Sequence, residues 1–479
     1  MNKKLLLSTA IAAALGASMS AHAEINLDDD TGSLTFASEL DVSGGVTLEE
    51  AVAGDQDANV ANGFGASAGE NRFFRFDLTE DSGATFAVGS TLALTLDTLG
   101  GTVASGGAGE NFVIFSYEAD ATDGFTADQR IVFDVNNIDV TSQDAVTISF
   151  AHYDTPGDAS NETNALKTAD APMFSFDAAL ATSVTSVTPE KINVQQDSLF
   201  FDGETKDNGG TGSDNATVIG NVEVGVDGTT LWNDGEAAEM VDLADMGSGV
   251  RVTGTFSALE FDANDNLTAG DIQLNTATDC AGTATSADTI SASEAFFLTD
   301  TGAFDSFICY VVSGTSEITE GDISGEYDVV AAGNAVTSDQ NLGVLSTLEK
   351  NGSEDNVSFA GATSAWFYRV SNPTTVKGNV FFTVWDRTGA NSCNFDLSDI
   401  DGIDSNELAA NSGSLLFTGD KIIGAVGTGC AIDFDATAGK QVRLRATGEF
   451  GSTAVQTGSG SEVGIRLEAW ADSPLNPQR

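Results

Sequence analysis

The sequence predicts an all-β fold of tandem β-sandwiches, and three observations lead there. Apolar residues recur at every second position in run after run, as in Phe74, Phe76 and Leu78, or Leu92, Leu94 and Leu96. A period of two is the signature of a strand with one buried face and one wet face. The runs are short, and segments rich in Gly, Asp, Asn and Thr separate them, which is turn chemistry at the spacing of a sandwich. No stretch carries the 3.6-residue apolar period of a full-length helix.

The first 23 residues read as a signal peptide and not as part of the fold. Lys3 and Lys4 form a basic start, Leu5 to Leu15 an apolar run, and Ala21-His22-Ala23 a small-residue cleavage site. The apolar run is shorter than the roughly 20 residues that span a bilayer. Cleavage after Ala23 leaves Glu24 as the expected mature N-terminus. The first cysteine is Cys280, so a lipid anchor beside the cleavage site is not expected. No later apolar run has the length of a transmembrane helix.

The remaining chain is too long for one ordinary domain of roughly 100–200 residues. We expect three β units, at residues 24–186, 187–350 and 351–479. Thr188-Pro189-Glu190 interrupts the pattern at the first boundary, and Leu348–Asn356, LEKNGSEDN, does so at the second. In the first unit, Arg130–Val135 is expected to bury Ile131, Phe133 and Val135, and Ala145–Ala151 to bury Val146, Ile148 and Phe150. Asn111–Glu118 is apolar enough to be buried on both faces. In the second unit, Val218–Val226 alternates through Val222, Val224 and Val226, and Val250, Val252 and Phe256 share one face. Strands are also expected at Phe307–Ser313 and Gly325–Ala331, and Asp202–Asn215 is expected to be an exposed loop.

The third unit opens with the densest aromatic stretch, Ser364–Gly389. Trp366, Tyr368 and Val370 share a face, as do Val380, Phe382 and Val384, and the two runs are expected to pair as a hairpin. Phe367, Phe381 and Trp385 fall on the opposite face. Asp404–Asn411 is expected to form a short helix stopped by Gly413. Two strands close the unit, with Val442, Leu444 and Ala446 inward in one and Ile465 and Leu467 inward in the other.

Charge narrows the partners. The chain has 72 acidic residues against 19 basic, and loss of Lys3 and Lys4 takes the net charge from −53 to −55. Such a surface repels nucleic acid and anionic lipid. It suits a salty medium, which screens self-repulsion, and it suits divalent cations. The 41% apolar content is enough to fill cores, so disorder does not follow from the charge.

The four cysteines, Cys280, Cys309, Cys393 and Cys430, fall in two local pairs. In an exported protein two disulfides are expected, and chain order favours Cys280–Cys309 and Cys393–Cys430. A zinc site is disfavoured, because neither pair has the close spacing that zinc motifs use.

Catalytic motifs are weak. Gly65-Ala66-Ser67-Ala68-Gly69 has the letters of a nucleophile elbow, but it lies in a loop running into a strand and not between a strand and a helix. His152 is the one histidine left after processing, with no credible nucleophile to serve. Paired carboxylates are everywhere in so acidic a chain and therefore say nothing about glycoside hydrolysis. No phosphate-binding fingerprint appears. We expect a protein that is not an enzyme.

Acidic loops are the candidate metal sites. Asp262, Asn264 and Asp265 with Asp271 offer the hard oxygens calcium takes, although Leu267 stands where an EF-hand needs glycine. Asp396–Gly402 and Asp28–Asp30 are similar clusters. An outer-membrane barrel is the competing fold. Its strands run to about 10 residues, longer than the 5–8 seen here, and no aromatic girdle is evident.

Taken together, the leader, the acidic Lys-poor composition and the consecutive β units make the chain resemble surface-layer (S-layer) proteins of marine Gram-negative bacteria. The stretch from Phe367-Tyr368-Arg369-Val370-Ser371-Asn372-Pro373 through Val384-Trp385-Asp386-Arg387-Thr388-Gly389 is similar to hairpins of immunoglobulin-like modules in secreted surface proteins. The resemblance implies an extracellular lattice on the surface of a Gram-negative cell. It also implies self-association, calcium as the stabilising ion, and lipopolysaccharide as a partner reached through divalent cations. The alternatives are an adhesin or filament subunit, or a secreted carbohydrate-binding protein.

Overall fold

The structure, a computed structural model, describes residues 25–50, 56–96, 99–196, 198–202, 215–277, 280–411, 413–427, 430–434, 441–450 and 464–471. The expected signal peptide, most of the expected Asp202–Asn215 loop and the last eight residues lie outside the described residues. Alternating strands pair into sheets because each must bury one apolar face, and the sheets close face to face. The result is all-β, a series of β-sheets packed around three main hydrophobic cores among the described residues.

The first core lies under a six-stranded sheet. Its order is Leu34–Ala37, Lys167–Asp177, Val146–Tyr153, Asn71–Leu78, Phe112–Glu118 and Thr102–Gly106. The first pair is parallel and the others are antiparallel. Phe74, Phe76 and Leu78 point into the core as the alternation requires. Phe76 stacks on Phe133 of the opposing sheet, with ring centroids 4.3 Å apart. Phe112–Glu118 is buried on both faces in its middle. Val113 and Phe115 enter the main core, and Ile114 joins Ala151, Tyr153 and Ala159 on the other side.

Ala159 belongs to a six-residue helix, Pro156–Asn161, that alternation does not reveal. Its signal is local: Thr155 caps it by accepting from the Asp158 N–H, and Pro156 opens its first turn. Leu231, Trp232, Ala238 and Leu243 also pack into the first core. Leu231 exchanges backbone hydrogen bonds with Thr35 and Ala37 at 2.8 Å each, so the chain returns to this core after position 187.

The second core lies between two five-stranded sheets. One runs Leu180–Thr185, Ala216–Val226, Phe304–Val311, Asp271–Asn275, Ala284–Ser286. The other runs Thr289–Ile290, Glu294–Leu298, Gly249–Thr253, Gly321–Asp328, Gln340–Leu348. Val222, Val224, Val250, Val252 and Phe256 are all buried. A bulge between Val218 and Gly220 shifts the register, which buries Ile219. Cys280 is bonded to Cys309, with Cα atoms 6.0 Å apart, and so ties a loop to a central strand.

In the third core the structure corrects two expectations. Trp366–Asn372 and Gly378–Asp386 do not pair as a hairpin. Trp366–Asn372 lies between Gly413–Thr418 and Arg466–Ala471 in a three-stranded sheet. Gly378–Asp386 lies in the opposing sheet, between Ser392–Asp396 and Gln441–Gly448, with Ser353–Gly361 beyond. The connection is therefore an arch from one layer to the other. Both apolar faces are satisfied by meeting across the core, and period 2 does not distinguish that from pairing side by side. Asn372, fully buried, locks the arch: its Nδ2 donates to the Val376 and Leu408 carbonyls, and its Oδ1 accepts from the Thr374 N–H and hydroxyl.

The second correction concerns Asp404–Asn411, which forms no helix. Glu407–Leu408 is a short strand paired with Asn379 and Gly378, because Leu408 is needed in the core and that edge needs backbone partners. A six-residue helix sits instead at Asp420–Ala425. Cys393 and Cys430 are bonded, with Cα atoms 5.6 Å apart. Every large sheet ends in two edge strands and closes no ring among the described residues.

Candidate functional site

The sequence-derived candidates are taken up mainly by their own surroundings. Ser67 is exposed, and its backbone N–H donates to Glu70 at 2.9 Å. His152 is fully buried, and its Nδ1 is 3.0 Å from the Asn62 carbonyl. Its Nε2 has no partner, and its ring lies against Phe74 with centroids 4.8 Å apart. Burial pushes its pKa below the ordinary histidine value. It is a neutral core residue, and among the described residues its hydrogen-bond partner is the Asn62 carbonyl and no nucleophile.

The acidic loops close turns. Glu260–Phe261 and Leu267–Ala269 form a hairpin, and the Asp262 carboxylate accepts from the N–H groups of Asn264 and Asn266 and from the Asn266 side chain. Those bonds, the Asn266 N–H first, hold its pKa below the usual carboxylate range. Asp265 takes a positive φ of 60° at the tip. Gly270, at φ 76° and tight against Leu259 and the Val311 carbonyl, then leads the chain into the next strand. There Asp271 accepts from Ser286 at 2.6 Å, and burial raises its pKa. Asp28 accepts from Lys167 and from the Ala61 N–H, both at 2.6 Å, and Asp396 and Asp399 cap a short turn. Among the described residues no three His, Cys, Asp or Glu side chains are grouped so as to hold a metal ion.

What the fold does assemble is an aromatic and cationic surface on the third unit. Arg443 and Arg445 are two apart on one strand and so share its outer face. Trp385 on the neighbouring strand faces Arg443 in register. Both guanidiniums lie over its ring, at 4.9 and 5.1 Å from the centroid. Arg445 is paired with Glu354 at 3.3 Å. Arg387 and Arg443 are exposed and make no ion pair among the described residues. Asp386 makes no ion pair with these arginines among the described residues, because its carboxylate turns into the 386–391 turn. There it accepts from Thr388, Ala390 and Asn391; these bonds, the Thr388 hydroxyl first, draw its pKa down to about 2.

On the other sheet of this unit Phe367 stacks on Trp470, with centroids 6.1 Å apart, and Arg369 lies over the same indole. Trp470 is 38% exposed and the nearby Leu416 55%, so both outer faces carry solvent-reached apolar surface. Sequence reasoning placed Phe367 and Trp385 on the outside of their strands. It missed the arginines beside Trp385, because they arrive from a strand almost sixty residues further on. No helix among the described residues is long and apolar enough to cross a membrane.

No protein-family model matches the chain, and no curated protein does. Solved structures similar to it include one named BspA_C_WT, 12% identical, covering 61% of this chain and 91% of that one at a TM-score of 0.20. The major pilin subunit of Bacillus cereus, BcpA, is 10% identical and covers 69% of this chain and 80% of its own, also at 0.20. A C-terminal fragment of the major pilin GBS80 of Streptococcus agalactiae is 12% identical, with coverages of 58% and 79% and a TM-score of 0.15. Superpositions this loose carry no inference about function.

Proposed function

We propose that the chain is a structural protein of the bacterial cell surface whose copies assemble laterally into a surface-layer lattice. The observation that carries this reading is a chain of all-β units whose sheets end in exposed edges. Thr102–Gly106 is exposed along its whole length, and Gly413–Thr418 borders the other free side of a sheet with Leu416 outward. Exposed edges are templates for pairing with another chain. Two disulfides support an oxidising, extracytoplasmic location. In this reading the protein is not an enzyme. Calcium acts between copies, neutralising facing carboxylates, and bridges the acidic surface to lipopolysaccharide.

Electron microscopy of cells, and of purified protein with calcium or with EDTA, tests the proposal. Ordered arrays that dissolve in EDTA are the expected result. Thin filaments in their place would favour a filament subunit or adhesin. A monomer at millimolar calcium with no array on cells would overturn self-assembly altogether, and glycan-array binding by such a monomer would favour a carbohydrate-binding protein.

A further inference from the structure

We infer that the arginine cluster around Trp385 docks against the acidic residues 24–350 of a second copy of this chain, making a head-to-tail contact. The inference rests on the self-assembly reading above and names the face that carries it. Positive charge is scarce and unevenly placed. Residues 24–350 hold 8 basic residues against 57 acidic, whereas residues 351–479 hold 9 against 15. The four arginines before position 350 are all neutralised in place. Arg72 pairs with Glu70 and Asp154, Arg75 with Asp77 and Glu162, Arg130 with Asp28, and Arg251 with Glu294 and Asp328.

Arg387 and Arg443 break that rule, in a chain with acids to spare. Arg443 lies over a half-buried tryptophan that already carries Arg445, and Arg387 follows that tryptophan by two residues in the chain. Glu354 offsets Arg445, whereas Arg443 over the same indole has no carboxylate partner among the described residues, so an incoming anionic surface would supply one. Trp and Arg are also the side chains that most often anchor protein interfaces.

Charge complementarity selects the occupant. Two copies meeting through residues 24–350 repel, and attraction requires the last third of one to meet the earlier part of the next. Such a contact is heterologous and propagates instead of closing as a dimer.

The test uses the whole chain, wild type and Arg387→Glu/Arg443→Glu, followed by sedimentation velocity and light scattering at low ionic strength with calcium. Both side chains are exposed, so the thermal melt should be unchanged; if it is not, Arg387→Gln/Arg443→Gln replaces the reversal. Self-association should weaken by at least about tenfold, the scale of lost interfacial charge pairs. A small proportion of the variant mixed into wild type should shorten the oligomers, because it keeps the acidic face and lacks the cationic one. Unchanged self-association of the variant overturns this docking face and leaves the lattice reading standing. A monomeric wild type fails both. A wild type that binds lipopolysaccharide vesicles through these arginines, but not itself, overturns the second copy as occupant.

Discussion

Phe382 and Phe417 meet edge-on across the third core, with ring centroids 5.8 Å apart and planes at 78°, although they belong to opposing sheets. Tyr368, a neighbour of Phe417 in register, stacks parallel to it at 5.6 Å. This cluster joins the two layers that the 373–377 arch connects.

Phe382 is 1% exposed, so Phe382→Ala should cost about 3–5 kcal/mol in the unfolding of the third unit. Phe381→Ala, on the outer face, should cost much less. Denaturant unfolding of the two variants measures the difference, and equal losses would contradict the layer assignment.

Asn372 satisfies four polar groups with one buried side chain. Asn372→Ala removes the side-chain partner of the Leu408 carbonyl and the Thr374 N–H, while the Thr374 hydroxyl still donates to Val376; it should destabilise the same unit by roughly 2–4 kcal/mol, since each buried group left unpaired costs about 1–3. Native-state hydrogen exchange at residues 374–376 should rise with it.

The Cys280–Cys309 bond spans 29 residues. Replacing both cysteines with alanine should lower the stability of the second unit by about 3–4 kcal/mol on the chain-entropy account, with the first unit's transition unmoved. Calorimetry that resolves the transitions is the check.

Asp386 has a folded pKa of about 2, below the ordinary aspartate value. Its charge therefore stabilises the fold above about pH 4, and that contribution is lost as pH falls towards 2. Asp386→Asn should melt below wild type at pH 7, and the two curves should converge near pH 2. A gap constant across that window would show that the charge is not involved.

Burial lowers the pKa of His152, which must stay neutral in the fold. Stability from this group is complete above about pH 6.5 and falls as pH drops below it, because the unfolded chain then binds the extra proton. In His152→Gln the slope of melting temperature between pH 7 and 5 should flatten.

The strands were legible because alternation is a local property. Ile131, Phe133 and Val135, or Val442, Leu444 and Ala446, are buried as their spacing demands. Pairing partners are not local, so Ser364–Gly389 read as a hairpin although its two strands form an arch. Asp404–Asn411 misled for a related reason, since its fate depended on a vacant edge at Gly378–Asn379. The acidic loops were legible as clusters of hard oxygens, but which of those oxygens local N–H groups take up, as at Asp262, is set by the folded turn. The cationic face was hidden in the sequence, because Trp385 and Arg443 become neighbours only through strand register.

The two disulfides have a consequence under tension. A lattice or filament subunit pulled along its length pays out chain as it unravels, at up to about 3.5 Å per residue. The bonds span 29 and 37 residues, which withholds roughly 100 and 130 Å of slack at that reach. A stretched copy would stop short by those lengths, and a reducing agent would release them as two discrete steps.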